Sequence, residues 1–470
     1  MRRLRARLFA AAVLALVALL GPVSPAVAGP PTGVAGSTSG GDPYFPAAGN
    51  GGYQVRHYDL DLRYAPETRA LAARARIVAE TRRKNLESFS LDLRGLTVSS
   101  VRVNGQPARY AQSGSELVVT PRRVLKAWHR FTVDVRYGGR TGQPTDVTGA
   151  LYGWVSFPDG AFVANEPEGA STWFPVNDVP YDKATYDFRI TVPRGTVAVA
   201  NGDLRGTRTR DGWTTYRWSA REPMASYLAM AASGDYELTT QRTATGLPII
   251  NAVDEDLSAA DRARTDASLA LQPEMIAYFS SLFGPYPFSS FGAVVDDDED
   301  AGYALENQTR PIYSGAPSEG TVAHELAHQW YGNSVTPRRW RDIWLNEGFA
   351  TYSEWLWTAH RGGDSVQEQF DAAYARPATS PFWQVRPGDP GATGLFAGAV
   401  YDRGAMTLHA LRLEIGDEDF FRVLRAWAQR NRYGVVSTDD LVRLAERVSG
   451  EQLDALFTTW LYTPGKPTSW

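Results

Sequence analysis

From Tyr53 to about residue 240, apolar and polar residues alternate along the chain. In YDLDLRY the apolar positions are Tyr58, Leu60, Leu62 and Tyr64, with Asp59, Asp61 and Arg63 between them. A period of two puts the two sets on opposite faces of a strand. FSLDL, VRVNG, FTVDVRY and YDFRITV repeat the pattern, and Asn104-Gly105 supplies a hairpin turn. These stretches predict an antiparallel β domain with one buried face. Beyond about residue 245 the period becomes helical. Met275, Phe279, Leu282 and Phe283 are spaced for a helix within 258–283, where Pro273 marks a kink or a late start. Further helices are predicted around 320–332, 346–360, 401–414 and 438–448, and there is no internal repeat. The fold class is therefore α+β and multidomain: a β domain over 53–243, then a mostly helical domain over 244–470.

Two segments precede the β pattern. Residues 29–52, GPPTGVAGSTSGGDPYFPAAGNGG, are rich in Gly, Pro and Ser and read as a flexible linker. Residues 1–28 read as a secretory signal peptide. Arg2, Arg3, Arg5 and Arg7 form a basic start, an apolar run follows from Leu8 to Leu20, and an A-x-A site ends at Ala28. Thirteen apolar residues are too few to span a bilayer, so the expectation is export into the extracellular space with no membrane attachment after cleavage. Cleavage would leave 44 basic against 52 acidic residues, a net charge of −8. That balance argues against a nucleic-acid partner and against an anionic membrane surface.

There is no cysteine. Disulfides and thiolate metal sites are excluded, and any metal must be held by His, Asp or Glu. The 14 tryptophans then point to large apolar cores as the source of stability. Lysine occurs only at Lys84, Lys126, Lys183 and Lys466 while arginine is abundant, a composition that suggests a GC-rich bacterial genome. A monomer is the expected state.

The stretch HELAHQW at 324–330 carries the chemistry. On a helix, positions i and i+4 share a face one turn apart, so His324 and His328 can reach one ion. The chain has six histidines, and this is the one pair at that spacing. Zinc in a catalytic site takes three protein ligands and keeps a fourth position for water. Glu347, nineteen positions after His328 near the start of the next predicted helix, is the candidate third ligand. Glu325 sits about 100° round the helix from His324, beside the metal rather than on it, where a general base belongs. The competing reading is a pair of satisfied histidines that share a helix face.

HELAHQWYGN and NEGFATYSEWLW, with eighteen residues between His328 and Glu347, resemble the aminopeptidase N family of gluzincin zinc metallopeptidases, which also contains the leukotriene hydrolases. EPEGASTWFPVNDVPYDKATYDFRITVP, LFGPYPFSSF and FTTWLYTPGKP extend the likeness over roughly residues 53–470. The resemblance implies a saddle-like β domain on a thermolysin-like catalytic domain, with one zinc ion held by His324, His328 and Glu347. It implies Glu325 as general base and Tyr401, in AVYDRGA, as the hydroxyl that stabilises the oxyanion. The family's G-x-M-E-N stretch, which grips the substrate's free amine, is matched by YALEN. Tyr303 stands in place of the glycine and Leu305 in place of the methionine, while Glu306 and Asn307 remain as substrate-binding residues, Glu306 as the amine anchor. Glu166 matches the β-domain residue that contributes to the same amine. Longer members continue with further domains, so a shallower cleft is expected here.

The expected activity is removal of the N-terminal residue from peptides with a free amine. An endopeptidase on the same chemistry is the first alternative, since the departure at Tyr303 bears on amine recognition. A non-catalytic secreted peptide-binding module is the second. Epoxide hydrolysis, known in one branch of the family, finds no specific support. The acidic run VVDDDED at 294–300 reads as a solvated loop and is assigned nothing.

Overall fold

The computed structural model describes residues 32–146, 149–298 and 301–468; the signal-peptide stretch lies outside them. An eight-stranded sheet dominates the N-terminal half. Its order is Asp203–Arg210, Trp213–Met224, Ala184–Pro193, Tyr53–Ala65, Ala70–Thr81, Arg130–Arg140, Thr97–Val103 and Gln106–Pro107. Tyr58, Leu60, Leu62 and Tyr64 are buried while their polar neighbours are not, as the period of two requires. Asn104 and Gly105 both take positive φ, at 50° and 76°, and close the tight turn between the last two strands. The sheet is antiparallel except where Tyr53–Ala65 meets Ala184–Pro193 in parallel register, Tyr58 opposite Tyr186. Those two rings stack, and Phe174 packs edge-on against Tyr58. Two four-stranded sheets complete this half, one of them formed by Gly153–Ser156, Ala161–Ala164, Ala231–Gly234 and Val197–Ala200.

The stretch 236–242, which its alternation places with the β domain, joins a different sheet. Strand Tyr236–Arg242 pairs not with the β domain but with Pro248–Asp254, in a five-stranded sheet that continues through Phe291–Val295, Ile312–Tyr313 and Ala304–Leu305. Which sheet a strand joins depends on distant partners, and nothing in its own alternation records that choice. The second domain is thus less exclusively helical than its sequence suggests. All five residues of Phe291–Val295 are buried, so the strand shows no period-two signal.

The longer helices are α1 (Ala259–Leu269), α2 (Gln272–Phe283), α3 (Glu319–Ala327), α4 (Trp344–His360), α5 (Val366–Tyr374), α6 (Gly398–Arg430) and α7 (Thr438–Ser449). Pro273 lies in the first turn of α2, where a missing N–H costs nothing, so it marks a late start. Helix α5 was not anticipated, although Ser365 and Glu368 form the capping box that announces it. Helix α6 runs well beyond 414, with a break at Gly416, where φ is 77°.

Residues 32–52 are not a free linker. Asp42 accepts the Trp340 N–H at 2.9 Å, and the Tyr44 hydroxyl donates to Asp389 at 2.6 Å. Gly49 and Asn50 donate to Asp92, and Val34–Ala35 pairs with Leu86 and Ser88. A Gly- and Ser-rich composition is read as flexible because it lacks apolar side chains, but here backbone and Asp hydrogen bonds tie the segment across both domains. A second tie comes from Lys183 of the β domain. Its buried ammonium donates to the carbonyls of Asn333 and Ser334 and to Thr336 Oγ1, at 2.7–3.0 Å, and burial brings its pKa down to about 7. The β domain is thereby bound to the turn that follows α3.

Candidate active site

Helix α3 is capped by Ser318, whose Oγ accepts the Thr321 N–H. Val322, Ala323, Leu326 and Ala327 are buried in the core, which leaves His324, Glu325 and His328 to line a cavity of about 470 Å³. The first turn of α4 brings in Glu347. Its Oε2 lies 3.2 Å from His324 Nε2 and 3.5 Å from His328 Nε2. Each ring is oriented by its other nitrogen: His324 Nδ1 donates to Glu354 Oε1 at 2.5 Å, and His328 Nδ1 donates to the Tyr331 carbonyl at 3.1 Å. With Nδ1 so committed in each ring, both Nε2 atoms face the Glu347 carboxylate. Burial pushes the Glu347 carboxyl up, but His328 and His324 outweigh it and hold it down at about 2. One atom from each of the three side chains lies within 4.8 Å of the others. Two imidazole lone pairs and an ionised carboxylate on one point are a donor set suited to zinc.

Glu325 is buried beside this trio, with an oxygen within 4.8 Å of His328 and Glu306 ligand atoms. Burial raises its pKa to about 8, with the two histidines opposing and Glu306 and Glu347 adding to the rise. Glu166 and Glu306 enter the cavity from the β domain and the five-stranded sheet, both buried. Oε1 of each has no hydrogen-bond partner, and their carboxylates lie within 4.8 Å of each other and of Glu347. Burial above all raises both pKa values. Carboxyls so placed must either take up a proton or pair with a cation.

Glu306 is held in place by the turn that follows α3. Its carbonyl accepts Gln329 Nε2 at 3.2 Å and Asn333 Nδ2 at 2.7 Å. Asn307, expected to bind substrate, does not line the cavity. The extended chain alternates sides, so Asn307 is fully buried with its amide 3.4 Å from the Leu228 carbonyl of the β domain. Tyr303 lines the cavity, and its hydroxyl donates to the Leu151 carbonyl across the domain boundary.

Tyr401, in the first turns of α6, lies over His324 with ring centroids 6.0 Å apart. Burial, then the carboxylates around it, keeps its hydroxyl protonated well above the usual range, so it remains a donor. The α4–α6 crossing that sets this spacing is glycine on glycine. A Cβ on Gly348 would stand 2.8 Å from the Gly404 carbonyl carbon, and one on Gly404 would stand 2.9 Å from Gly348 Cα. Gly348 adjoins Glu347, and Gly404 lies one turn after Tyr401. Gly348→Ala should therefore cost about 1–3 kcal/mol by overpacking and displace Tyr401 from Glu347. Denaturant unfolding and metal content together check this, with stability expected to fall more than metal binding.

The Peptidase M1 N-terminal domain matches residues 54–228 and the Peptidase family M1 domain matches residues 301–460. The crystal structure of an M1 zinc metallopeptidase from Deinococcus radiodurans superposes with a TM-score of 0.84 at 30% identity, covering 91% of this chain and 98% of that one. The chain belongs to peptidase family M1. A variant of the Deinococcus protein has been crystallised bound to a Tyr-Ser-Ala substrate. Among curated relatives, aminopeptidase N from Streptomyces lividans is 26% identical over 87% of the M1 chain, and aminopeptidase N from Lactococcus lactis subsp. lactis is 29% identical over 63%. The M1 chain spans half of the first and 38% of the second.

Three features of the M1 site escaped sequence reading. Glu354 had a signal, since it follows Glu347 by seven residues, two turns along one helix face. Gln329 and Asn333 lie inside the HELAHQWYGN stretch, but their partner carbonyl is some twenty residues earlier. The pairing of Gly348 with Gly404 had no local signal. Among the described residues, no helix is long and apolar enough to cross a membrane.

Proposed function

We propose that this chain is a secreted zinc aminopeptidase that hydrolyses the first peptide bond of peptides with a free N-terminus. The observation that carries the reading is the pair of buried, unpartnered carboxyl oxygens of Glu166 and Glu306 beside the His324–His328–Glu347 trio. An α-ammonium group is the cation that such a pair would take. The similarity to proteins named aminopeptidase N supports the same reading, and residues 1–28 support export.

His324, His328 and Glu347 would hold the zinc, which when bound supplies Lewis-acid polarisation of the carbonyl and of the attacking water. The chain's own residues do the rest. Glu166 and Glu306 fix the ammonium by charge-assisted hydrogen bonds, so that the first peptide bond is set over the trio. Glu325 takes the proton of the attacking water and returns it to the leaving amine. The Tyr401 hydroxyl donates to the developing oxyanion, a contribution of about 3 kcal/mol. Glu354 and the Tyr331 carbonyl keep the two imidazoles in register.

The test compares a peptide with its N-acetylated twin. The acetyl group leaves both carboxyls buried and unpaired, so kcat/KM should fall on the order of 10²-fold or more. Glu306→Gln should lower kcat/KM on free-amine peptides by about 10²-fold, keep the zinc, and narrow the gap between the twins. Equal cleavage of the two by the wild-type chain would transfer the reading to an endopeptidase.

A further inference from the structure

The carboxyl ends of two neighbouring parallel strands carry a second acidic cluster, outside the cavity. Pro248–Asp254 runs parallel to Phe291–Val295, with Val253 opposite Val295, and the next residues in register are Asp254 and Asp296. This run reads as a solvated loop from its composition, yet Asp254 and Asp296 have 0% exposure. Asp297 follows at the surface. One carboxylate oxygen from each of Asp254, Asp296 and Asp297 lies within 4.8 Å of the other two.

The hydrogen bonds within reach do not satisfy this cluster. Asp254 Oδ1 accepts the Asp256 N–H at 2.8 Å. Asp296 accepts the Asp298 N–H at 3.1 Å and the Tyr236 hydroxyl at 2.5 Å. Asp254 Oδ2 is buried with no partner. The charged neighbours that act on Asp254 and Asp296 are themselves aspartates, among them Asp159 of the β domain. Asp159 Oδ2 is likewise buried and unpartnered. Carboxylates gathered this closely cost free energy that a cation would remove.

We propose that Asp254, Asp296 and Asp297 bind a hard divalent cation, calcium in preference to magnesium. All the donors are oxygen, which excludes a soft-metal site. Calcium accepts an irregular shell of 6–8 oxygens, part of it water on the exposed Asp297 side, whereas magnesium demands a near-ideal octahedron. Glu306 follows Asp297 by nine residues, so the bound ion would anchor the root of the segment that carries the amine-binding carboxylate.

The experiment uses the full chain loaded with one zinc. Calcium chloride at about 100-fold over a Kd on the order of 0.1 mM should raise Tm by about 3 °C, and magnesium should raise it less. Terbium(III) should bind and luminesce by transfer from Tyr236, and calcium should displace it. Asp254→Asn and Asp297→Asn should each weaken calcium binding by about tenfold or more and leave Tm in calcium-free buffer unchanged or higher, because repulsion is relieved. If Asp254→Asn fails to fold, the exposed Asp297→Asn carries the test. A wild-type chain with neither a calcium shift nor terbium luminescence would overturn the proposal. So would variants that respond to calcium as the wild type does.

Discussion

Glu325→Gln is expected to retain one zinc per chain and to lose kcat on the order of 10³-fold on aminoacyl substrates. The side chain is buried on the cavity face of α3, beside His328 and Glu306. Burial chiefly brings its pKa up to about 8, in the range where a carboxyl can both take and return a proton near neutral pH. Glutamine keeps the volume and loses the basic oxygen. It also removes one of several carboxyls crowded into the cavity, so the thermal midpoint should hold or rise. Metal analysis and steady-state kinetics on the same preparation separate the outcomes. Wild-type turnover would remove Glu325 from the base role, and loss of metal would make it a ligand.

Stripping the metal with a chelator should reduce activity to below about 0.1%, and one equivalent of zinc should restore it. Stability should fall as well, because a ligand bound only by the folded state adds to its stability. Metal-free, the trio must neutralise itself with protons. Burial alone lowers the His328 pKa, but Glu347 and Glu306 outweigh it and bring it up to about 9. Zinc therefore has to displace a proton at pH 7, and its apparent affinity should fall as the pH is lowered. Titration with zinc at pH 6, 7 and 8, read by calorimetry, checks the sign. Activity that survives exhaustive chelation would refute a metal-dependent mechanism altogether.

Much of this protein was legible in local pattern. The alternation through Tyr58, Leu60, Leu62 and Tyr64 implied the half-buried strand that the structure contains, because a period of two leaves one way to bury all four. The spacing of His324, His328 and Glu347 implied one shared point, because helical geometry alone aligns the first pair and a following helix can return the third. Glu306 and Glu166 came from resemblance, not from pattern, and the fold brings both into the cavity.

What stayed hidden depends on contacts between distant segments. Tyr236–Arg242 alternates like its predecessors, but it pairs with Pro248–Asp254 in a different sheet. Residues 32–52 look unstructured by composition and are tied down by hydrogen bonds to Asp92, Trp340 and Asp389. Glu306 and Asn307 are adjacent polar residues, yet Glu306 faces the cavity and Asn307 the β domain. The glycine contact between α4 and α6 sets where Tyr401 stands, and Asp296 is buried although it heads an acidic run. Local sequence determined the element types and the helix faces, because backbone periodicity is a short-range property. Only the tertiary structure decided which buried charges meet, because that depends on which strand ends and helix crossings packing brings together.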